Sequence, residues 1–167
     1  AKRRAGVAGV ELVGQQGVGL RQFMKALAFG RISVAALSLG CAQACLDLAL
    51  DYAKQRRQFD QPISHFQAIQ FKLADMAVAV ENARLITYKA AWLYDQGREF
   101  AKEAAMAKLY ASDTAMQAAS EAVQIHGGYG YTDEYVVSRF FRDAKILQIG
   151  EGTNEIQRMV IARLLGC

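Results

Sequence analysis

One carboxylate, Glu151, stands between two glycines in the run Ile149-Gly150-Glu151-Gly152-Thr153-Asn154-Glu155-Ile156-Gln157-Arg158. Glycine on both sides lets the backbone turn sharply and lets a ligand come close to it. A carboxylate held out on such a turn suits proton abstraction. The same ten residues also fit a plain helix-entry loop with a solvated glutamate, and alone they do not separate the two.

Three other places carry chemistry-bearing side chains. Gly30-Arg31 lies inside an apolar helical stretch, which resists a purely structural account, although an arginine there can snorkel or pair with a neighbouring helix. Arg56-Arg57-Gln58-Phe59 puts two guanidiniums beside an aromatic. That set could hold a diphosphate and stack on a base, or simply complement a helix C-terminus. Gln124-Ile125-His126-Gly127-Gly128-Tyr129-Gly130 offers close backbone approach or a glycine helix end. His126 and His65 each lack a partner cluster, so both read as structural histidines, and no metal site is expected.

The elements that must position these residues are helical. A single proline, Pro62, in 167 residues favours long uninterrupted helices. Residues 1–16 look like an irregular entry segment, and 17–167 like one helical domain. The first helix covers about 18–55 and is broken by the turn chemistry of Asp60 and Pro62. Ser64 then reads as an N-cap, with Gln67 completing a capping box. Ile69, Leu73, Met76, Val80, Ala83, Thr87, Ala90 and Tyr94 form a bundle-type seam, ended near Gly97. A third helix, about 100–125, is rich in alanine, whose small side chains allow close packing on two sides. A short helix is expected over 133–144, and a last one from Thr153 or Asn154 to 165. No strand is evident. The predicted fold is all-α, an antiparallel bundle of four main helices plus a short one.

Bulk properties narrow the classes. The hydrophobic share of 53% and charged share of 22% describe an ordinary globular protein. The net charge of +4 is mild and spread out, which fits a solvated surface, then a phosphate-bearing small molecule, and nucleic acid last. Cys41 and Cys45, at i and i+4 of a helical pattern, read as small buried hydrophobes in a reducing compartment. No signal peptide is visible, and charge is expected to break the apolar stretches too often for a membrane span.

The chain resembles the C-terminal helical domain of the acyl-CoA dehydrogenase family. The resemblance rests on Phe29-Gly30-Arg31-Ile32, Tyr52 through Phe59, Gln67-Ala68-Ile69-Gln70, Leu73-Ala74-Asp75-Met76, Ala105-Met106-Ala107-Lys108, Gln124 through Gly128, Arg142-Asp143-Ala144-Lys145, and Gly150 through Arg158 with Ile161-Ala162-Arg163. These stretches follow the family's order and spacing, and the short-chain and short branched-chain members look closest.

The resemblance implies α,β-dehydrogenation of an acyl-CoA thioester. Glu151 falls on the α-proton base, and its backbone N–H on a donor to the enolate oxygen. Ala28, Phe29, Gly30, Arg31 and Gly152 fall on substrate contacts. Arg56, Phe59 and Gln67 match contacts to the diphosphate half of FAD, made across a subunit boundary. Gln124, Ile125, His126, Gly127 and Gly128 match a second FAD segment, and Thr153, Asn154 and Glu155 match flavin contacts within the subunit. A dimer of dimers is implied, associating through the alanine-rich faces, with an electron-transfer flavoprotein or similar acceptor as redox partner. The implied location is cytoplasmic in a bacterium and the mitochondrial matrix in a eukaryote. Four positions depart from the family: Ala28 stands where aspartate is frequent, Asp60 for a glycine, Val136 for a proline and Gly150 for an aromatic. The family's N-terminal helical and middle β-domains are not in this sequence, which implies part of a longer enzyme, inactive by itself. Three other readings remain open from the residues: a non-catalytic oligomerisation module, an acyl-CoA oxidase, and a nucleic-acid-binding relative.

Overall fold

The computed structural model describes residues 15–167, so the expected entry segment lies outside the described residues apart from its last two. Six helices follow: α1 (Gly19–Gln55), α2 (Gln67–Asp95), α3 (Ala101–His126), α4 (Gly128–Tyr131), α5 (Val137–Ile149) and α6 (Asn154–Leu165). The all-α bundle is as the sequence predicts.

α3 is the central helix. Alanines 104, 105, 107, 111, 115, 118, 119 and 122 are buried, and they point to more than one side of it. Their small size lets several helices approach one axis at once. Arg84 of α2 donates to Gln43 of α1 at 2.7 Å, and Lys72 of α2 pairs with Glu121 of α3. The second pairing, between the start of α2 and the end of α3, runs those two helices antiparallel. Tyr52 stacks on His126 at 4.1 Å, while Arg31 and Lys108 lie near each other at the opposite end. α1 and α3 therefore run parallel, with α2 returning between them in sequence. Because α3 lies inside, its alanine faces are spent within the subunit. They are not available for association between subunits, contrary to the sequence expectation.

The seam on α2 is buried at Met76, Val80, Ala83, Thr87 and Ala90. At its end Leu93 takes the core position, and Tyr94 stays 41% exposed. Four further differences separate the structure from the sequence. The turn after α1 is a minimal hairpin, β1 (Arg57–Gln58) paired with β2 (Gln61–Pro62), where no strand was expected. Phe59 and Asp60 form its two-residue tip at φ +50° and +64°, the left-handed geometry such hairpins require. Asp tolerates this conformation better than most residues, which explains how it replaces a glycine at 60.

Ser64 is not the N-cap of α2. Ile63 N–H bonds back to the Arg56 carbonyl at 2.8 Å, which places Ser64 inside a 3-10 turn. α2 starts after Phe66, with no side-chain cap. α5 covers Val137–Ile149 instead of 133–144, since Thr132 and Tyr135 are held in a turn and no breaker follows before Gly150. Lastly, α1 is long and apolar enough to cross a membrane by length and composition, with hydropathy 1.6 over its most apolar window. In the fold one face of it is buried, with Ala35, Ala42, Cys45, Ala49 and Ala53 closed to solvent, while Phe23, Phe29 and Leu37 stay exposed.

Candidate active site

α6 begins as its sequence predicts. The Thr153 hydroxyl accepts the Ile156 N–H at 3.4 Å, an N-cap bond. Immediately before it, Gly150 ends α5 in extended conformation, Glu151 turns left-handed at φ +55° and Gly152 follows at φ +88°. A glutamate at positive φ is uncommon and costs energy. Gln157, fully buried on α6, offsets this by donating to the carbonyls of Glu151 at 3.1 Å and Gly152 at 2.9 Å.

The turn carries the Glu151 carboxylate onto α1 at Gly30. A Cβ added to Gly30 would stand 2.8 Å from Glu151 Oε2 and 3.0 Å from Cδ. Only a residue with no side chain leaves the carboxylate where it is. Arg31 follows, 5% exposed, with its Nε lacking a hydrogen-bond partner. Burial lowers the Arg31 pKa from its usual value, the Glu151 charge opposes that shift, and Arg163 adds to it. Arg31 also lines a cavity of about 430 Å³ with Ala28, Arg21, Lys25, Arg98 and Arg163. Five cations against one carboxylate, Glu99, leave the cavity lining positive, which suits a polyanion.

Beneath the loop is a polar cluster on α3. Lys108 Nζ donates to the Gln148 carbonyl at 3.0 Å and to Asn154 Oδ1 at 2.8 Å. Asn154 Nδ2 donates to Ser112 Oγ at 2.9 Å and Asp113 Oδ1 at 2.7 Å. Burial pushes the Lys108 pKa down to about 8, against the pull of Asp113 and Glu155. The Asn154 side chain is thus turned inward. Glu155, fully exposed in the first turn of α6, has its carboxyl held below the usual range by its own backbone N–H and by Thr153.

A second group of expected site residues gathers at the far end of α3, about 27 Å from Lys108 by helical rise. Arg56, Ile125, His126, Gly127 and Gly128 line a cavity of about 520 Å³ with Tyr52 and Tyr129. The Arg56 guanidinium lies 5.4 Å from the Tyr129 ring centre. Gly127 ends α3 at φ +63°, and the space over both glycines is open. His126 is buried, stacked on Tyr52, and its Nδ1–H donates to the Ala122 carbonyl at 2.8 Å. Burial lowers its pKa. Phe59, at the hairpin tip, is 86% exposed and meets the Phe66 ring edge-on at 6.2 Å, which leaves most of its surface open. Gln67 and Gln124 are exposed on the same end of the bundle, while Phe29 packs 4.9 Å from Tyr94.

Sequence reasoning put no site role on Lys108, Gln157 or the cations Arg21, Lys25, Arg98 and Arg163. A lysine at the centre of the alanine run was the one available signal.

The acyl-CoA dehydrogenase C-terminal domain profile matches residues 17–166. A probable acyl-CoA dehydrogenase of Bacillus subtilis (strain 168) is 59% identical over 159 residues, 95% of this chain and 42% of that protein. The short-chain specific acyl-CoA dehydrogenase of Rattus norvegicus mitochondria is 52% identical, over 90% of this chain and 37% of its own length. The structure of butyryl-CoA dehydrogenase from Megasphaera elsdenii superposes with a TM-score of 0.91 at 52% identity, covering 92% of this chain and 40% of that one. The chain thus spans about two fifths of the length of the relatives it matches. A helical bundle that brings Gly30 and Glu151 into contact, matched over this length, belongs to the acyl-CoA dehydrogenase family as its C-terminal domain.

Proposed function

We propose that this domain supplies the proton-abstracting half of an acyl-CoA dehydrogenase site, acting with the N-terminal and middle domains of a longer enzyme. The observation that carries the proposal is the contact of Glu151 with Gly30. Two segments matched independently to substrate contacts lie together, with the carboxylate over bare backbone. Glu151 takes the α-proton of the thioester. Its backbone N–H stands at a left-handed turn, placed to donate to the oxygen that gains charge. Arg31 and the cationic cavity beside it suit the phosphates of a coenzyme A thioester.

The far-end cavity fits a dinucleotide. Its guanidinium, its open glycine backbone and the exposed Phe59 ring are donors and stacking surfaces of the right kind. Arg56, Gly127 and Gly128 would hold the diphosphate, and Phe59 the adenine. Thr153, Glu155 and the Asn154 backbone stand beside Glu151, where a flavin ring is needed. When bound, FAD accepts the hydride that leaves the substrate β-carbon. The two groups of residues lie at opposite ends of α3, which supports FAD sites shared between subunits. The short-chain specificity of the rat relative supports a short acyl chain here.

The test is anaerobic. The FAD-loaded full-length enzyme should lose its flavin absorbance on mixing with a short acyl-CoA. No bleaching with any thioester would overturn the proposal. Rapid reoxidation by O₂ would place the enzyme with the oxidases.

A shared FAD site needs a second copy. Phe71, Val78, Leu85 and Trp92 recur every seven residues along α2 and are 52–63% exposed. We assign this stripe to a subunit contact of a homo-oligomer. Light scattering should show a multimer whose mass falls when Leu85 is changed to Glu. A strict monomer at high concentration would count against it.

A further inference from the structure

We propose that Lys108 is a positioning residue for the Glu151 carboxylate, its ammonium group tying together the two ends of the loop that carries the base. This rests on the assignment of Glu151 as base. Lys108 Nζ reaches Gln148 in the last turn of α5 and Asn154 in the first turn of α6, so it spans the whole turn at 150–153. The last carbonyls of a helix have no partner within it, and a cation there meets the negative end of the helix dipole. Among the described residues Lys108 is the largest side chain closed to solvent.

Packing does not explain a lysine here. A methionine of similar length would fill the same space among alanines without the cost of burying an ammonium. What lysine adds is a charge-assisted donor long enough to bridge two helix ends. Asp113 does not take that role. Its carboxylate is bonded to Asn154, Gln148 and Arg158, while the ammonium donates to two neutral oxygens. Gln157 holds the loop from the other side through the Glu151 and Gly152 carbonyls. Lys108 and Gln157 together leave the loop little freedom. A misplaced base is expensive, since a shift of about 1 Å can cost about 100-fold in rate.

Lys108→Met in the FAD-loaded full-length enzyme should slow anaerobic bleaching about 10- to 100-fold. Affinity for a non-reacting thioester analogue should stay within about threefold. On the intact chain, amide hydrogen exchange at Gly150 and Gln157, whose N–H groups donate to the Ile146 and Thr153 carbonyls at the two ends of the loop, should rise at least about tenfold, with the centre of α3 unchanged. Unchanged loop exchange, or bleaching within about threefold of the unaltered enzyme, overturns the proposal. Should Lys108→Met fail to fold, Asn154→Ala carries the same test, since it removes the acceptor and keeps the lysine. The double variant should be no slower than the slower single one, and additive losses would mean that Lys108 does not act through Asn154. If the unaltered enzyme itself is not bleached, the dehydrogenase assignment fails, and loop exchange still decides the role of Lys108.

Discussion

Glu151→Gln in the full-length enzyme should leave FAD and acyl-CoA binding nearly intact and slow flavin bleaching by at least about 10²–10⁴-fold. Glutamine keeps the shape and can still hydrogen-bond, so the left-handed turn and the fit over Gly30 survive. It cannot take the α-proton. The same change at Glu155 should cost much less, because Glu155 is exposed and its side chain is engaged with the start of α6. Near-normal bleaching in Glu151→Gln would mean that another group is the base.

The second large effect comes from a substitution that ought to improve a helix. Gly30→Ala should raise the helix propensity of α1 by about 1 kcal/mol. Its new Cβ would stand 2.8 Å from Glu151 Oε2, so the carboxylate must move. The end of a flexible side chain gives way cheaply, and the fold should not suffer. Catalysis should, by about 100-fold or more, because the base no longer lies where the proton is. The expected pattern is an unchanged or raised melting temperature with a collapsed kcat. In a Glu151→Gln background Gly30→Ala should add almost nothing, since the two act on one event. Full turnover in Gly30→Ala would show that the contact with Gly30 does not set the position of the base.

Local chemistry made some elements legible and left others hidden. The start of α6 could be read because Thr153 caps its own helix, a matter of three residues. The role of α3 could be read as well, since alanine on several faces has few uses besides close packing. The start of α2 could not, because the bond from Ile63 to Arg56 pulls Ser64 out of register. The alanine pattern did not say whether its partners lie within the subunit or beyond it. The site divides in the same way. Glu151, Gly30 and Arg31 stand out by type and spacing. Lys108 and Gln157 matter only because the turn between α5 and α6 settles over them, and the cations Arg21, Lys25, Arg98 and Arg163 meet only after distant segments of chain have packed.

The parallel alignment of α1 and α3 has a consequence for biosynthesis. α1 is the most apolar long helix among the described residues, and the helix that covers its Ala35–Ala53 face is not made until α2 has been completed. Ribosomes add about 5–20 residues per second, so the face waits for several seconds outside the tunnel. Contacts so distant along the chain also form slowly. During that interval α1 leaves its apolar face uncovered. Slowing translation across α3 should therefore lower the yield of folded protein more than the same delay placed within α6.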